Sequence, residues 1–545
     1  MEYQSLNRLL EKSIRSNWER GALSNCDGET IRYRDMARYI GLFQRVYACC
    51  GVGRGDKIAL CSRNQARWGV AFLSALSVGG IPVPILPDFR AGSIHYLVNH
   101  SDARILFAGE SILESINPSA MPELKIIVRL EDFEVVYAVD DQLKQDLQGA
   151  REAFEKRFVG GFTPADLEFY IDSPDDLAII NYTSGTSGFA KGVMLPYRSL
   201  TKNVELMERV APQLDCNANV VSMLPTGHMY GLMMDLIFEM TIGAHTHFLM
   251  RPPGPQVIAE ACAEVRPDIV MTVPLVVEKI CRKVMRSLGS DIGGEPLTVV
   301  QREEANRILT DIFGGNFLEV VIGGAPLNPE VEDFLLEIGF RYTVGSGMTE
   351  CGPLVSLSPW DRTKPHTCGR RAFYNEIKID SPDGATIPGE VYIRGGSVFL
   401  GYYKMPQQTA EVLGSDGWFR TGDIGTLDKD EFLTLKGRCK NMILTSAGQN
   451  IYPEEIESCV NNLPYVQESL VISDKNKLVA LIYPDQEMVA TDGMTQADLY
   501  QILKAEIREL NGELPTYCSI ARVEIFPEEF EKTPKNSIKR YLYQR

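Results

Sequence analysis

One short stretch limits what this chain can fold into. Residues 182–193 read Tyr-Thr-Ser-Gly-Thr-Ser-Gly-Phe-Ala-Lys-Gly-Val, and they follow an apolar run over 177–182 that predicts a buried strand. Glycines and small hydroxyl residues let a backbone approach a polyphosphate closely. Converging N–H groups then form a nest for phosphate oxygens, with hydroxyls and one lysine as further donors. A Gly/Ser/Thr-rich turn is also a common flexible connector. A Walker A loop is excluded, because it needs glycine before the lysine and serine or threonine after it, whereas Ala190 precedes Lys191 and Gly192 follows.

With 545 residues the chain exceeds what one hydrophobic core supports, so at least two domains are expected. Its formal charge of -17 argues against nucleic acid or an anionic membrane as main partner. The opening residues, Met-Glu-Tyr-Gln-Ser-Leu-Asn-Arg, have no apolar core of the secretory kind. The most apolar long stretch, 70–86, is broken by Gly79, Gly80, Pro82 and Pro84, which predicts a buried helix and then a buried strand, with no transmembrane span. Peripheral membrane contact stays compatible with these features. Twelve cysteines are scattered without a C-x-x-C pair, as reduced packing thiols of a cytoplasmic protein would be. Oligomeric state leaves no mark in the sequence.

Apolar runs at 57–61, 104–108, 125–130, 177–182, 268–273 and 318–322 predict strands, and 68–77, 200–210, 255–265 and 303–313 predict helices. Their alternation implies layered α/β sheets, largely parallel. After Gly425 the texture changes to a hairpin over 425–435, a helix at 453–461, strands at 468–472 and 478–483, and a helix at 496–510. The expected architecture is α/β, with a large N-terminal domain over 1–439 and a small α+β C-terminal domain over 440–545.

Further motifs follow in order. Leu224-Pro225-Thr226-Gly227-His228 sets a histidine in an apolar stretch, where a hydrogen-bonded core residue is the commoner explanation. Gly323-Gly324-Ala325-Pro326 and Gly345-Ser346-Gly347-Met348-Thr349-Glu350 are glycine turns, and Thr421-Gly422-Asp423 alone would be an ordinary turn. Together with the 182–193 segment, this series resembles the ANL superfamily of adenylate-forming enzymes. The phosphate-loop pattern there is roughly Y-T-S-G-[ST]-T-G-x-P-K-G-V, from which this chain departs at Ser187 and Ala190.

The resemblance implies roles residue by residue. Thr183, Ser184, Gly185, Thr186, Ser187, Gly188 and Lys191 would hold the phosphates of ATP. His228 would flank the acyl pocket and the reacting carboxylate. Gly323, Gly324 and Ala325 would lie beside adenine, with Gly345, Ser346, Gly347 and Met348 completing the nucleotide pocket. Thr349 would contact the α-phosphate, and Glu350 would hold Mg²⁺, which prefers oxygen ligands. Asp423 would accept the ribose hydroxyls, with Arg438 near the ribose and Lys440 as hinge of a mobile C-terminal domain. Gly448 would line the path of coenzyme A.

Two further positions depart from the family. The aromatic that usually stacks on adenine is Ser346, and loss of such stacking costs about 1–3 kcal/mol of nucleotide binding. In the tail, 531–540, the usual catalytic lysine is Ser537, which cannot supply a cation to the transferring phosphate. Lys535 is the nearest substitute and Lys539 the other, unless both belong to a solvated basic tail.

The implied reaction is activation of a carboxylic acid by ATP through an acyl-adenylate, then thioester formation with coenzyme A. Among relatives, Asn181-Tyr182, Val193-Met194-Leu195-Pro196 and Gly401-Tyr402-Tyr403-Lys404 most resemble bacterial long-chain fatty acyl-CoA synthetases. The methionines at 229, 233 and 234 suit a fatty acid chain, and suit a plain core equally. Two other readings stay open: a ligase for aryl or other short acids, or one loading a carrier protein; and a catalytically impaired binding protein, to which Ser346 and Ser537 point. His245-x-His247 lacks a third ligand at metal spacing and is expected to be an ordinary strand feature.

Overall fold

The computed structural model describes residues 3–26, 28–183, 190–290, 292–293, 296–444, 449–475, 477–533 and 537–545. Two compact units are present. The larger takes most of residues 3–376 together with Ile393–Phe419, and the smaller consists of Ile377–Tyr392 and Arg420–Arg545.

In the larger unit, a five-stranded sheet runs Ile81–Ile85, Lys57–Cys61, Ala103–Ala108, Ile126–Arg129, Val135–Ala138, parallel except for its last strand. Near-continuous apolar sequence makes these inner strands, since both faces are covered. Pro82 and Pro84 fall in the Ile81–Ile85 strand at the sheet edge, where a missing N–H breaks no ladder. The helix Ala66–Ser77 precedes that strand and is buried almost throughout, its Trp68 stacked on Phe72 at 5.6 Å. The broken apolar stretch is therefore a core helix and a strand, as expected. Among the described residues no helix is long and apolar enough to cross a membrane.

A second parallel sheet joins Val270–Thr272, Val320–Ile322 and Tyr342–Val344. Its strand ends at Ile322 and Val344 lead directly into Gly323 and Gly345. Turns at the carboxyl ends of parallel strands are where open α/β sheets hold ligands.

The strand before the phosphate-loop motif does not join a parallel sheet. Leu177–Thr183 pairs antiparallel with Lys191–Pro196, Thr183 opposite Lys191, and Gly401–Tyr402 adds on the far side. The stretch between Thr183 and Lys191 is too short for the crossover of about a dozen residues that parallel pairing requires.

The smaller unit begins with a four-stranded sheet in the order Asn375–Asp380, Gly389–Gly395, Phe419–Leu427, Leu433–Arg438. The α/β texture thus gives way before Gly425. A second sheet, Val466–Asp474, Lys477–Pro484 and Ile520–Ile525, shares a core with the helices Pro453–Val460 and Gln496–Glu513. Val460, Leu503, Ala480 and Ile482 are fully buried there, and each branched side chain contributes roughly 1.5–3 kcal/mol.

Candidate active site

The Leu177–Thr183 strand is buried up to Tyr182, so Thr183 emerges at its end, half-buried, facing Lys191 across the hairpin. The Tyr182 hydroxyl shares a 2.7 Å hydrogen bond with His100 Nδ1. Burial raises the Tyr182 phenol and lowers the His100 imidazole, so both are neutral near pH 7. Ser184, Gly185, Thr186, Ser187 and Gly188 lie outside the described residues, as do Gly448 and Lys535.

Asn181 points sideways from the same strand and donates to the Gly227 carbonyl at 3.0 Å, tying the phosphate strand to the His228 segment. Asn64 holds that segment from the other side, donating to the Leu224 carbonyl at 2.6 Å and accepting from the Thr226 N–H at 2.9 Å. His228 then stands half-buried at the N-cap of the turn Met229–Leu232. The helix continues through a π turn, Met233–Ile237, into Phe238–Ile242. Such turns recur at functional sites. Met229, Met233 and Met234 are buried.

The two glycine turns sit close to this helix. Tyr230 is half-buried and its hydroxyl donates to the Val321 carbonyl at 3.0 Å, which brings its ring against Gly323. Gly324 holds φ of +89°, a left-handed backbone that disfavours side chains. Gly323 is buried, whereas Gly324 and Ala325 are exposed. The Gly345 N–H donates to the Ile322 carbonyl at 2.9 Å, so both turns share one strand end. Ser346 pairs with Ser356 in a short hairpin, and the Met348 N–H donates to the Pro353 carbonyl at 2.8 Å.

Thr349 and Glu350 begin a tight turn, Thr349–Cys351, that closes at Gly352 with φ of +64°. A Cβ at Gly352 would lie 2.3 Å from Ser199 Oγ, so this position requires glycine on two counts. Fully buried Asn203, from the helix Tyr197–Val210, fastens the turn. Its Nδ2 donates to the Cys351 carbonyl at 3.1 Å and its Oδ1 accepts from the Leu354 N–H at 2.8 Å. Glu350 Oε1 accepts from the Tyr402 hydroxyl at 2.9 Å, and Lys191 Nζ lies 4.5 Å from the centre of the Tyr402 ring. Lys191 and Glu350, far apart in sequence, therefore meet at one side chain. Glu350 Oε2 makes no hydrogen bond to a described residue. One open carboxylate oxygen, half-buried, fits Mg²⁺ bound through a single carboxylate plus phosphates and water. Among the described residues no three His, Cys, Asp or Glu side chains gather as a metal cluster.

In the smaller unit, Asp423 and Arg438 are opposite each other on paired strands, with Arg438 Nε 2.9 Å from Asp423 Oδ1. Asp423 is nearly buried, while Arg438 and Lys440 are exposed. The Asp423 N–H donates to Thr421 Oγ1 at 3.0 Å, fixing the carboxylate's stem. In the tail, the Thr533 N–H donates to the Ser537 carbonyl at 2.9 Å and Lys532 bridges Ile538, which makes a hairpin. Lys539 is ion-paired with Glu531 and Lys532 with Glu468.

Sequence patterns missed several residues of this region: Asn64, Asn203, Tyr402 as a partner of Glu350, and a buried acidic pair. Asp235 and Glu239, on the helix after His228, are fully buried, and among the described residues no donor lies within 3.5 Å in good geometry of their carboxyl oxygens, although Ser222 and the Leu224 backbone are near Asp235. Burial raises both well above the ordinary carboxyl range, and Asp235 adds to the rise of Glu239. The His245 and His247 rings lie 4.0 Å apart, tilted by 36°, with Ser24 Oγ 2.7 Å from His245 Nε2. Burial lowers them to about 4 and about 3, so both are neutral.

Comparison with known proteins bears on these features together. Residues 10–403 match the family model described as AMP-binding enzyme, and residues 440–545 match the AMP-binding enzyme C-terminal domain. A long-chain-fatty-acid–CoA ligase of Mycobacterium bovis is 25% identical, over 90% of this chain and 86% of that protein. A long-chain-fatty-acid–CoA ligase of Escherichia coli O157:H7 is 27% identical, over 86% and 82%. Among solved structures, the anthranilate CoA ligase AuaEII with anthranoyl-AMP superposes with a TM-score of 0.80 at 19% identity, over 99% of this chain and 96% of that one. With strand-end glycine turns, the Thr183–Lys191 hairpin and the family match agreeing, the chain belongs to the AMP-binding enzymes of the ANL adenylate-forming superfamily.

Proposed function

We propose that this chain is an AMP-forming acid–thiol ligase that activates a medium- or long-chain fatty acid and transfers it to coenzyme A. The observation that carries the reading is the meeting of Lys191 and Glu350 at Tyr402, beside the hairpin that leads into the phosphate-loop motif. A cation and a hard-metal ligand at one spot are what a bent triphosphate needs. The fatty acid rests on the names of the relatives and on the apolar surroundings of His228, where Met229, Met233 and Met234 lie.

In the first half-reaction a carboxylate oxygen attacks the α-phosphorus of ATP and pyrophosphate leaves. Thr183, Ser184, Gly185, Thr186, Ser187, Gly188 and Lys191 hold the phosphates, and Thr349 donates to the α-phosphate. Mg²⁺, when held by Glu350, neutralises phosphate charge. His228 orients the acid. Gly323, Gly324, Ala325 and Gly345 through Met348 receive adenine, and Asp423 with Arg438 receives the ribose. Lys535 supplies the cation that Ser537 lacks, since Lys539 is committed to Glu531. Most of the rate comes from positioning and from fixed donors aimed at developing charge.

In the second half-reaction the coenzyme A thiol attacks the adenylate carbonyl and AMP leaves. The mobile domain begins at Lys440 and turns there between half-reactions, with Gly448 on the thiol's path. The match of 440–545 to the C-terminal domain model supports that boundary. A cytoplasmic location agrees with the cysteine pattern. The test is pyrophosphate release with a panel of acids of increasing chain length, aryl acids included. Release that peaks with fatty acids and needs coenzyme A for turnover is expected. A peak with aryl acids would overturn the substrate, and no release with any acid would overturn the activity.

A further inference from the structure

The Tyr402 side chain touches both groups assigned to the nucleotide's charged end, Glu350 and Lys191. It is almost buried, with 6% of its surface exposed, and its placement is fixed on several sides. Tyr402 pairs with Val193 in the sheet, two residues from Lys191. Its N–H donates to Thr409 Oγ1 at 2.9 Å, and its ring meets Phe399 edge-on at 5.0 Å. The Phe399 N–H in turn donates to the Glu350 carbonyl at 2.9 Å, so the backbone of the Glu350 turn is tied to the same segment. A tyrosine held this way has little freedom to move when a ligand arrives.

Its two polar features face different partners. The hydroxyl donates to Glu350 Oε1 at 2.9 Å, which fixes the carboxylate's rotation and leaves Oε2 open. The ring face, rich in π density, attracts the Lys191 ammonium at 4.5 Å from its centre. Partners that orient a metal-binding carboxylate matter nearly as much as the ligand itself. We propose that Tyr402 is a positioning residue for the metal–nucleotide complex, its hydroxyl setting the Glu350 carboxylate and its ring setting the Lys191 ammonium. This rests on the proposed roles of Glu350 and Lys191, and it separates into two measurable parts. The hydroxyl matters only when a divalent metal is bound, whereas the ring matters for ATP with or without metal.

The experiment titrates the full chain with ATP and Mn²⁺, a spectroscopic probe for Mg²⁺ that suits the same oxygen ligands, and with ATP in the presence of a chelator. Tyr402→Phe keeps the ring and removes the hydroxyl. It is expected to weaken Mn²⁺ binding about tenfold while metal-free ATP binding stays within twofold. Tyr402→Met fills the space without a ring or hydroxyl, and should add a loss of about threefold in metal-free ATP binding. Either variant is sufficient if the other does not fold, as judged by its melting. A folded Y402F that binds Mn²⁺ within twofold of wild type overturns the proposal, and so does a Y402M with the same result. Equal losses with and without metal in Y402F overturn it too, since they mark a general disturbance. If wild type binds Mn²⁺ and ATP, and the variants behave as expected, but no acid yields pyrophosphate, the proposed reaction fails while the role of Tyr402 stands.

Discussion

Asn203 should matter more to this protein than its distance in sequence from any motif suggests. It is fully buried, and its amide spans from the Tyr197–Val210 helix to the turn that carries Thr349 and Glu350. Asn203→Ala removes the donor to the Cys351 carbonyl and the acceptor for the Leu354 N–H together. A buried backbone group left without a partner costs roughly 1–3 kcal/mol, so losing two partners destabilises the larger unit by about 3 kcal/mol once some relaxation is allowed. The turn also loses its anchor, and an ångström of freedom at a charged ligand is worth up to about a hundredfold in rate. Urea unfolding should therefore show the stability loss. Acid-dependent pyrophosphate release should fall at least about tenfold at fixed ATP, with no change in the coenzyme A concentration for half-maximal rate. Asn203→Asp keeps an acceptor for Leu354 and should fall between wild type and alanine. A folded alanine variant within 1 kcal/mol of wild type and unchanged in its ATP dependence would refute the anchoring role.

Asp235→Asn tests the buried acidic pair. The folded-state carboxyl is raised above its unfolded value of about 3.9, so stability present at low pH is lost as pH rises above that point. The asparagine variant should gain on wild type between pH 5 and 8 in urea midpoints, by up to about 1.4 kcal/mol per pH unit, and an advantage that shrinks with pH would contradict the assignment. In the smaller unit, Arg540 is bonded to the buried Glu457, whose carboxyl burial pushes up to about 7. Without Arg540 the Glu457 carboxyl rises further and must take up a proton at pH 8 that the wild-type protein does without, so Arg540→Met should cost about 1.4 kcal/mol more at pH 8 than at pH 5, where the carboxyl is protonated in both. Equal costs at the two pH values would count against this. Lys535→Ala should slow acyl-adenylate formation by about a hundredfold yet leave thioester formation from supplied adenylate intact, whereas Lys539→Ala should do neither. The reverse pattern would assign the cation to Lys539.

Much of the fold was legible because local rules agree with it. The Lys57–Cys61 strand and the Pro255–Val265 helix lie at the expected residues, the latter opening on proline at its first position, where the missing N–H costs nothing. The 70–86 stretch divides at its glycines into a helix and an edge strand, as its composition required. Less legible was the antiparallel strand Lys191–Pro196, since its apolar residues sat inside a motif whose glycines suggested a loop. The π turn at Met233–Ile237 is invisible for a similar reason, as helical periodicity shifts by only one residue. At the site, glycine turns announced themselves because backbone geometry demands a residue type. Asn64, Asn203 and Tyr402 did not, because a hydrogen bond across many residues imposes no period and no spacing. Asp235 was hidden among methionines, where nothing in the order of residues shows that a carboxyl is fully buried.

The central claim is that this chain forms an acyl-adenylate. ATP labelled at the α-phosphate, mixed with the chain, Mg²⁺ and a long-chain fatty acid, tests it directly when coenzyme A is withheld. The label should move into a fatty acyl-AMP that stays on the protein, and then be released as AMP when coenzyme A is added. Label that remains in ATP with every acid of the panel would contradict the claim.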